Sequence, residues 1–276
     1  MSIVRFFGAV LAAVLSLTGL AGAQQPVTGS PLVLGLKVVL VAGDGSLPVF
    51  DDAVAGVGAA LLADQATKAA DIAQFSGSGA ALNTPRAATL RHVLGAIASL
   101  RPGPSQGCLV FATSHGGRGE GLWLSASHAF LTPRALDAAL LKGCGDAPTV
   151  VIMSACFSGS FARPPMTRPN RVVLTAARPD RTSFGCSAGR TYTAYDQCLL
   201  GALATKHRGG VNLSVAYELI KTCVTAEEWR EHAVPSEPQA WFGPKVAGLD
   251  LPSRERGMDL QPWSGVRPGG QKGAHG

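Results

Sequence analysis

Aromatic residues are few in this chain: four Trp, three Tyr and ten Phe make up 6% of 276 residues. Charge is sparse too, at 15%, and the 24 Lys and Arg that outnumber 18 Asp and Glu form no basic run interleaved with aromatics. A phosphate-tracking surface with stacking platforms for bases needs both. No nucleic-acid partner is therefore expected, despite the net charge of +6. The six cysteines include no C-x-x-C pair, and the six histidines do not gather around them. Structural zinc sites use such spacings, so no metal is expected. Gly56-x-Gly58 lacks the rest of a dinucleotide fingerprint, and no cofactor is expected either. Internal repeats are missing as well.

The chain has one long apolar run. Arg5 precedes Phe6 to Leu20, and Ala21-Gly22-Ala23 follows. That order reads as a secretory signal over residues 1–23. A membrane anchor is the competing reading, but the run is short and ends in small residues. No later stretch is apolar enough to span a bilayer. The expectation is an exported protein, periplasmic or secreted, with no stable membrane insertion once the signal is removed. Export also permits disulfides.

What remains, about 250 residues rich in Ala, Gly, Val and Leu, suits one α/β domain rather than two. Its expected span is 24–248. Residues 249–276 are rich in Gly, Pro and Arg without an apolar period and read as a disordered tail. Within the domain, apolar β-branched runs at 32–42, 108–113, 149–153 and 171–175 read as buried strands, with weaker ones at 71–75 and 239–242. Helical patterns occupy 53–69, 195–204 and 212–228. Thr84-Pro85 and Thr132-Pro133 each place a hydroxyl before a proline, a signal that opens a helix. Alternating strands and helices predict a mostly parallel sheet with helices on both faces.

Two of these strands end in reactive residues. Val110-Phe111-Ala112-Thr113-Ser114-His115-Gly116-Gly117 delivers a histidine, and Val150-Val151-Ile152-Met153-Ser154-Ala155-Cys156-Phe157-Ser158-Gly159-Ser160 delivers a cysteine. One helix separates them, so a right-handed crossover makes the two strands neighbours. Both side chains then stand at the carboxyl edge of the sheet, where open α/β folds place their chemistry. A thiol needs to become a thiolate to attack, and an adjacent imidazole takes its proton. The small residues around both leave backbone N–H groups, those of Cys156 and of Gly116 or Gly117, free to face a developing oxyanion.

These segments resemble the legumain (asparaginyl endopeptidase) family. Ser-His-Gly after one strand and Ser-Ala-Cys-Phe-Ser-Gly-Ser after the next carry the likeness. Val38 to Gly43 resembles the family's first strand, Val173 to Arg178 with Thr182 to Cys186 its pocket wall, and Pro238-Gln239 its closing strand. The resemblance implies a caspase-like three-layer α/β sandwich and an exported cysteine endopeptidase acting on protein or peptide substrates through a thioester acyl-enzyme. It implies Cys156 as nucleophile, His115 as base, the N–H groups of Gly116 and Cys156 as oxyanion hole, and Ser183 and Asp196 as pocket residues. Two departures stand out. Phe157 occupies a place where the family has an acidic residue, and no Arg-His pair follows the first strand.

Alternatives remain open at this point. The same dyad could pass the acyl group to an amine, as a transamidase or peptide ligase, or the fold could be a catalytically inactive binding module. An esterase is suggested by His115-Gly116-Gly117, but no serine elbow between a strand and a helix follows. Asp44, Asp51 and Asp52 lie near the same sheet edge and either orient His115, line the pocket, or are solvated turn carboxylates. Asp196 either selects a donor-bearing P1 side chain, Asn or a basic residue, or caps the helix beginning near Tyr195. For the cysteines, Cys108–Cys144 is the expected bridge. The second is Cys186–Cys198, leaving Cys223 free, or else Cys198–Cys223.

Overall fold

A computed structural model describes residues 33, 35–63, 66–84, 86–187, 189–205 and 210–252. The expected signal sequence and most of the expected tail lie outside these residues. Six strands form the central sheet: β1 (Gly35–Ala42), β2 (Ile72–Ser76), β3 (Gln106–Thr113), β7 (Thr149–Ser154), β8 (Arg171–Thr175) and β10 (Gln239–Phe242). Their spatial order is β10-β8-β7-β3-β1-β2, and all pairs are parallel except β10 with β8. The sheet is therefore mostly parallel, as the strand–helix alternation predicts.

Each interior strand is apolar at nearly every position because both faces are covered. Along β1, Val38, Leu40 and Ala42 pack into one core with α1 (Pro48–Ala63), α4 (Ala194–Ala204) and α5 (Leu213–Arg230). Val39 and Val41 alternate to the other face, into a second core with α2 (Leu90–Ile97) and α3 (Pro133–Cys144). This is a helix–sheet–helix sandwich in three layers, in agreement with the expected architecture.

Local signals account for most element ends. Thr132 caps α3 by accepting from the Ala135 N–H, Pro133 fills the first turn, and Gly145 ends the helix at φ 54°. The other Thr-Pro signal does not open a helix. The Thr84 hydroxyl instead donates to the Ala81 carbonyl within a turn, and α2 begins later, where Thr89 accepts from the His92 N–H. Helix α1 starts five residues earlier than the pattern 53–69 suggests, with Pro48 at its first position. Two small sheets are additions to the expected set: β4 (Gly116–Gly117), β5 (Gly121–Leu124) and β6 (Ala129–Leu131) form an antiparallel unit after His115, and β9 (Gly210–Asn212) pairs with β11 (Asp250–Pro252). That last strand shows ordered chain continuing through 252, inside the stretch read as tail from 249.

Below the sheet, Arg171 is buried and bonds Asp137 of α3 at 2.6 Å, while Arg168 grips the same carboxylate with two nitrogens at 2.7 and 2.8 Å. Burial works to raise the Asp137 pKa, but the two guanidiniums overcome it and hold the carboxyl below its ordinary value. The Cys108–Cys144 bridge joins β3 to the end of the same helix. The second bridge is Cys198–Cys223, between α4 and α5, so Cys186 rather than Cys223 is left as a thiol beside Cys156. Cys198 lies on the α4 face that meets α5, where Cys223 is within bonding distance. Peptide mapping without reduction is expected to recover these two bridges and alkylated Cys156 and Cys186. Replacing Cys108 and Cys144 together by Ser should lower unfolding stability by about 2–4 kcal/mol in urea titrations.

Candidate active site

The site is built by the register of two parallel strands. In β3 and β7, Thr113 stands opposite Ser154, and the ladder runs one residue further, with Ser114 N–H donating to the Ser154 carbonyl at 3.1 Å. Both strands therefore end level. His115 and Cys156 each follow two residues after a paired position, at the carboxyl edge. The backbones meet there: a Cβ built on Gly116 would lie 2.0 Å from the Cys156 carbonyl oxygen. Only a glycine fits at that place.

The histidine is held from both sides. Its ring meets Phe50 of α1 edge-on, 5.3 Å between centroids, and its carbonyl accepts from Trp123 N–H of β5 at 2.9 Å. Ser114 Oγ donates to the Trp123 carbonyl at 2.7 Å, which ties the strand end to the same hairpin. None of the three acids orients the ring among the described residues. Asp44 is a turn carboxylate that accepts from Ser46 N–H at 2.7 Å. Asp51 and Asp52 lie on α1, and Asp51 lines a separate cavity of about 310 Å³ with Gln74 and Arg86.

After Cys156 the chain turns sharply. Phe157 adopts φ 57°, a left-handed conformation that side chains rarely take. Its N–H donates to the Arg181 carbonyl at 2.8 Å. The Ser158 hydroxyl accepts from the N–H groups of Ala176 and Ala177 at 3.1 and 3.2 Å, anchoring the turn to the end of β8. Gly159 lets this turn press against Ala177 and Pro179, since a Cβ there would come within 2.7 Å of both. Strain at Phe157 is thus compensated by contacts on each side.

The loop after β8 closes over the thiol. Cys156 Sγ donates to the Ser183 carbonyl at 3.4 Å. Burial pushes the Cys156 thiol above its ordinary pKa, with hydrogen bonding acting in the other direction. Cys186, three residues further along the loop, is pushed up to about 12 by burial and by its proximity to Cys156 and Asp196. Gly185-Cys186-Ser187-Ala188-Gly189 has the letters of a serine elbow. However, 181–187 contains no strand to deliver the serine, so this run does not build one.

Asp196 lies directly beneath the two strand ends and is wholly buried. Thr113 Oγ1 donates to its Oδ2 at 2.7 Å, and its Oδ1 has no hydrogen-bond partner. Burial raises its pKa to about 6, against the hydroxyls of Ser154, Thr113 and Thr193. It does not cap the helix: Thr193 is the N-cap of α4 and accepts from the Asp196 N–H at 3.1 Å. Thr113 and Ser154 were open to discovery in the sequence, since each sits two residues before His115 or Cys156. Phe50 and Cys186 carry no comparable local signal.

The raised value has a consequence for stability. Below about pH 4 Asp196 is protonated in both the folded and unfolded chain and costs nothing. Above about 6 the folded state must bury the charge, a penalty of about 3 kcal/mol from the difference between the two values. Asp196→Asn is therefore expected to stabilise the protein at pH 8 far more than at pH 4, measured by urea unfolding at both.

Comparison with known proteins adds three findings. A model of the peptidase C13 family, the legumain family, matches residues 89–248. A crystal structure of caspase-1 from Spodoptera frugiperda superposes with a TM-score of 0.55 at 11% identity, over 78% of this chain and 88% of that one. No curated protein sequence matches.

Proposed function

The chain belongs to the peptidase C13 family and is a cysteine-type peptidase of caspase-like fold acting on protein or peptide substrates, and we propose that Cys156 is its nucleophile and His115 its general base. The observation that carries this reading is the level ending of β3 and β7, with the Gly116 backbone in contact with that of Cys156. Cys156 Sγ attacks the substrate carbonyl as its proton passes to His115. The N–H groups of Gly116 and Cys156 receive the oxyanion. Collapse of the tetrahedral adduct breaks the C–N bond, and His115 returns the proton to the leaving amine. A thioester remains on Cys156, and water activated by His115 releases the acid.

The raised Cys156 pKa and the bond to the Ser183 carbonyl support a neutral thiol at rest. His115 then acts at the moment of attack rather than as half of a standing ion pair. Two bridges in a small chain support export into an oxidising compartment, periplasmic or extracellular.

Substitution of either residue tests the dyad. Cys156→Ala and His115→Ala should each lower kcat at least about 10³-fold, by analogy with loss of any member of a nucleophile–base pair, with unchanged thermal unfolding. Iodoacetamide should abolish hydrolysis by alkylating Cys156. Substantial peptidase activity in Cys156→Ala would end this mechanism.

Specificity follows from Asp196. We place its unpartnered Oδ1 at the end of a P1 pocket walled by Ser183, where a side-chain N–H donor would satisfy it. Fluorogenic libraries randomised at P1 should show preference for Asn or a basic residue and rejection of Asp and Glu. An unchanged P1 profile in Asp196→Ala would remove Asp196 from that role.

A further inference from the structure

His115 must deliver its proton to the leaving amine, so the departing half of the substrate lies on the histidine's side of Cys156. Two short segments follow directly on the dyad: the turn between β4 and β5, which begins three residues after His115, and Phe157, the residue after the nucleophile. They meet. The Arg118 guanidinium lies over the Phe157 ring, 5.3 Å from its centroid, and its Nη2 donates to the Asp180 carbonyl at 2.9 Å.

Among the arginines around this rim, Arg118 differs in its partners. Arg178 is paired with Asp180 and Glu237, Arg181 with Glu237, and Arg190 with Glu227 and Glu231. Arg118 has no carboxylate partner among the described residues. The Asp180 side chain is taken by Arg178, which leaves only its backbone oxygen for Arg118. Glu120 is the nearest acid in sequence, but its carboxylate lies over Gly117 and makes no ion pair with Arg118. The guanidinium is exposed, oriented by a ring and a carbonyl, and still has donors to spare. Its plane is set by contacts that do not neutralise its charge.

We propose that Arg118 is a specificity residue for the leaving segment, recognising a carboxylate within the first residues after the scissile bond while Phe157 supports the adjoining backbone and side chain. The carboxylate comes either from an Asp or Glu side chain or from a free C-terminus. This rests on the assignment of Cys156 and His115. The chemistry is unchanged by it; Arg118 affects which peptides are positioned for it.

Internally quenched peptides with one fixed non-primed sequence test this. One arm compares Asp with Asn at P1′, P2′ and P3′ with an amidated end; the other compares a free acid with an amide at the C-terminus of a short leaving segment. Within wild type, kcat/KM should favour the carboxylate form in at least one arm by about five- to tenfold at low ionic strength, less in high salt, as for a partly solvated charge pair. The arm that responds identifies the source. Arg118→Gln should bring that ratio to near one, and Arg118→Lys should retain part of it. A clamp that only held the hairpin would lower both members of each pair equally and keep the ratio. A wild-type ratio near one in both arms, or a ratio that survives Arg118→Gln, overturns the inference while leaving the dyad standing. The fixed non-primed sequence is one that wild type cleaves; cleavage of the set that survives in Cys156→Ala overturns the dyad, and this inference with it.

Discussion

Everything at the site depends on the parallel pairing of β3 with β7 in a register that ends both strands level. Had either strand been one residue out of step, His115 or Cys156 would point to the opposite face of the sheet. The register is fixed from the far end as well. Cys108 opens the paired stretch of β3 and is bonded to the last residue of α3, the helix that leads into β7. Asp137 of that helix is gripped by Arg168 and Arg171 just before and at the start of β8. A covalent clamp and a buried ion pair thus hold the amino edge while the chemistry is arranged at the carboxyl edge, some 20 Å away by strand rise.

Around the strand ends, polar groups are placed where they cannot be hydrated. Asp196 receives Thr113 from one strand and lies among hydroxyls that include Ser154 from the other, while its own N–H is held by Thr193. A carboxylate kept this dry lowers stability at neutral pH, and natural chains tolerate such groups mainly where function uses them. The same edge holds Phe157 in a left-handed conformation and brings Gly116 against Cys156. Strain, a buried charge and close backbone approach are all found together at this edge, although each also occurs singly elsewhere in the scaffold.

That contrast explains what could be read from the sequence. The buried strands were legible because a run such as Val38 to Ala42 has no polar interruption, and because Thr132-Pro133 and Gly145 punctuate α3 unambiguously. His115 and Cys156 were legible because each ends such a run among small residues. Thr84-Pro85 misled, since a Thr-Pro step starts a turn as readily as a helix and the apolar period begins only at Leu90. The hairpin β4–β6 had no clear alternation over two- to four-residue strands, and β11 lay in a stretch whose composition argues for a tail. Cysteine spacing left two pairings open for Cys198; the α4–α5 packing resolves them. Partners set by loop closure, such as Phe50 against His115 or Arg118 over Phe157, depend on contacts between segments with no local trace of one another.

The two bridges also have a topological effect. Cys108–Cys144 spans the segment that contains His115 and its hairpin, and Cys198–Cys223 spans the junction between α4 and α5. A backbone cut anywhere within 109–143 or 199–222 leaves the two pieces covalently joined. A nicked molecule would keep its pieces together, heavier than the intact chain only by the water added at the cut, and its fragments would separate only after its disulfides were reduced.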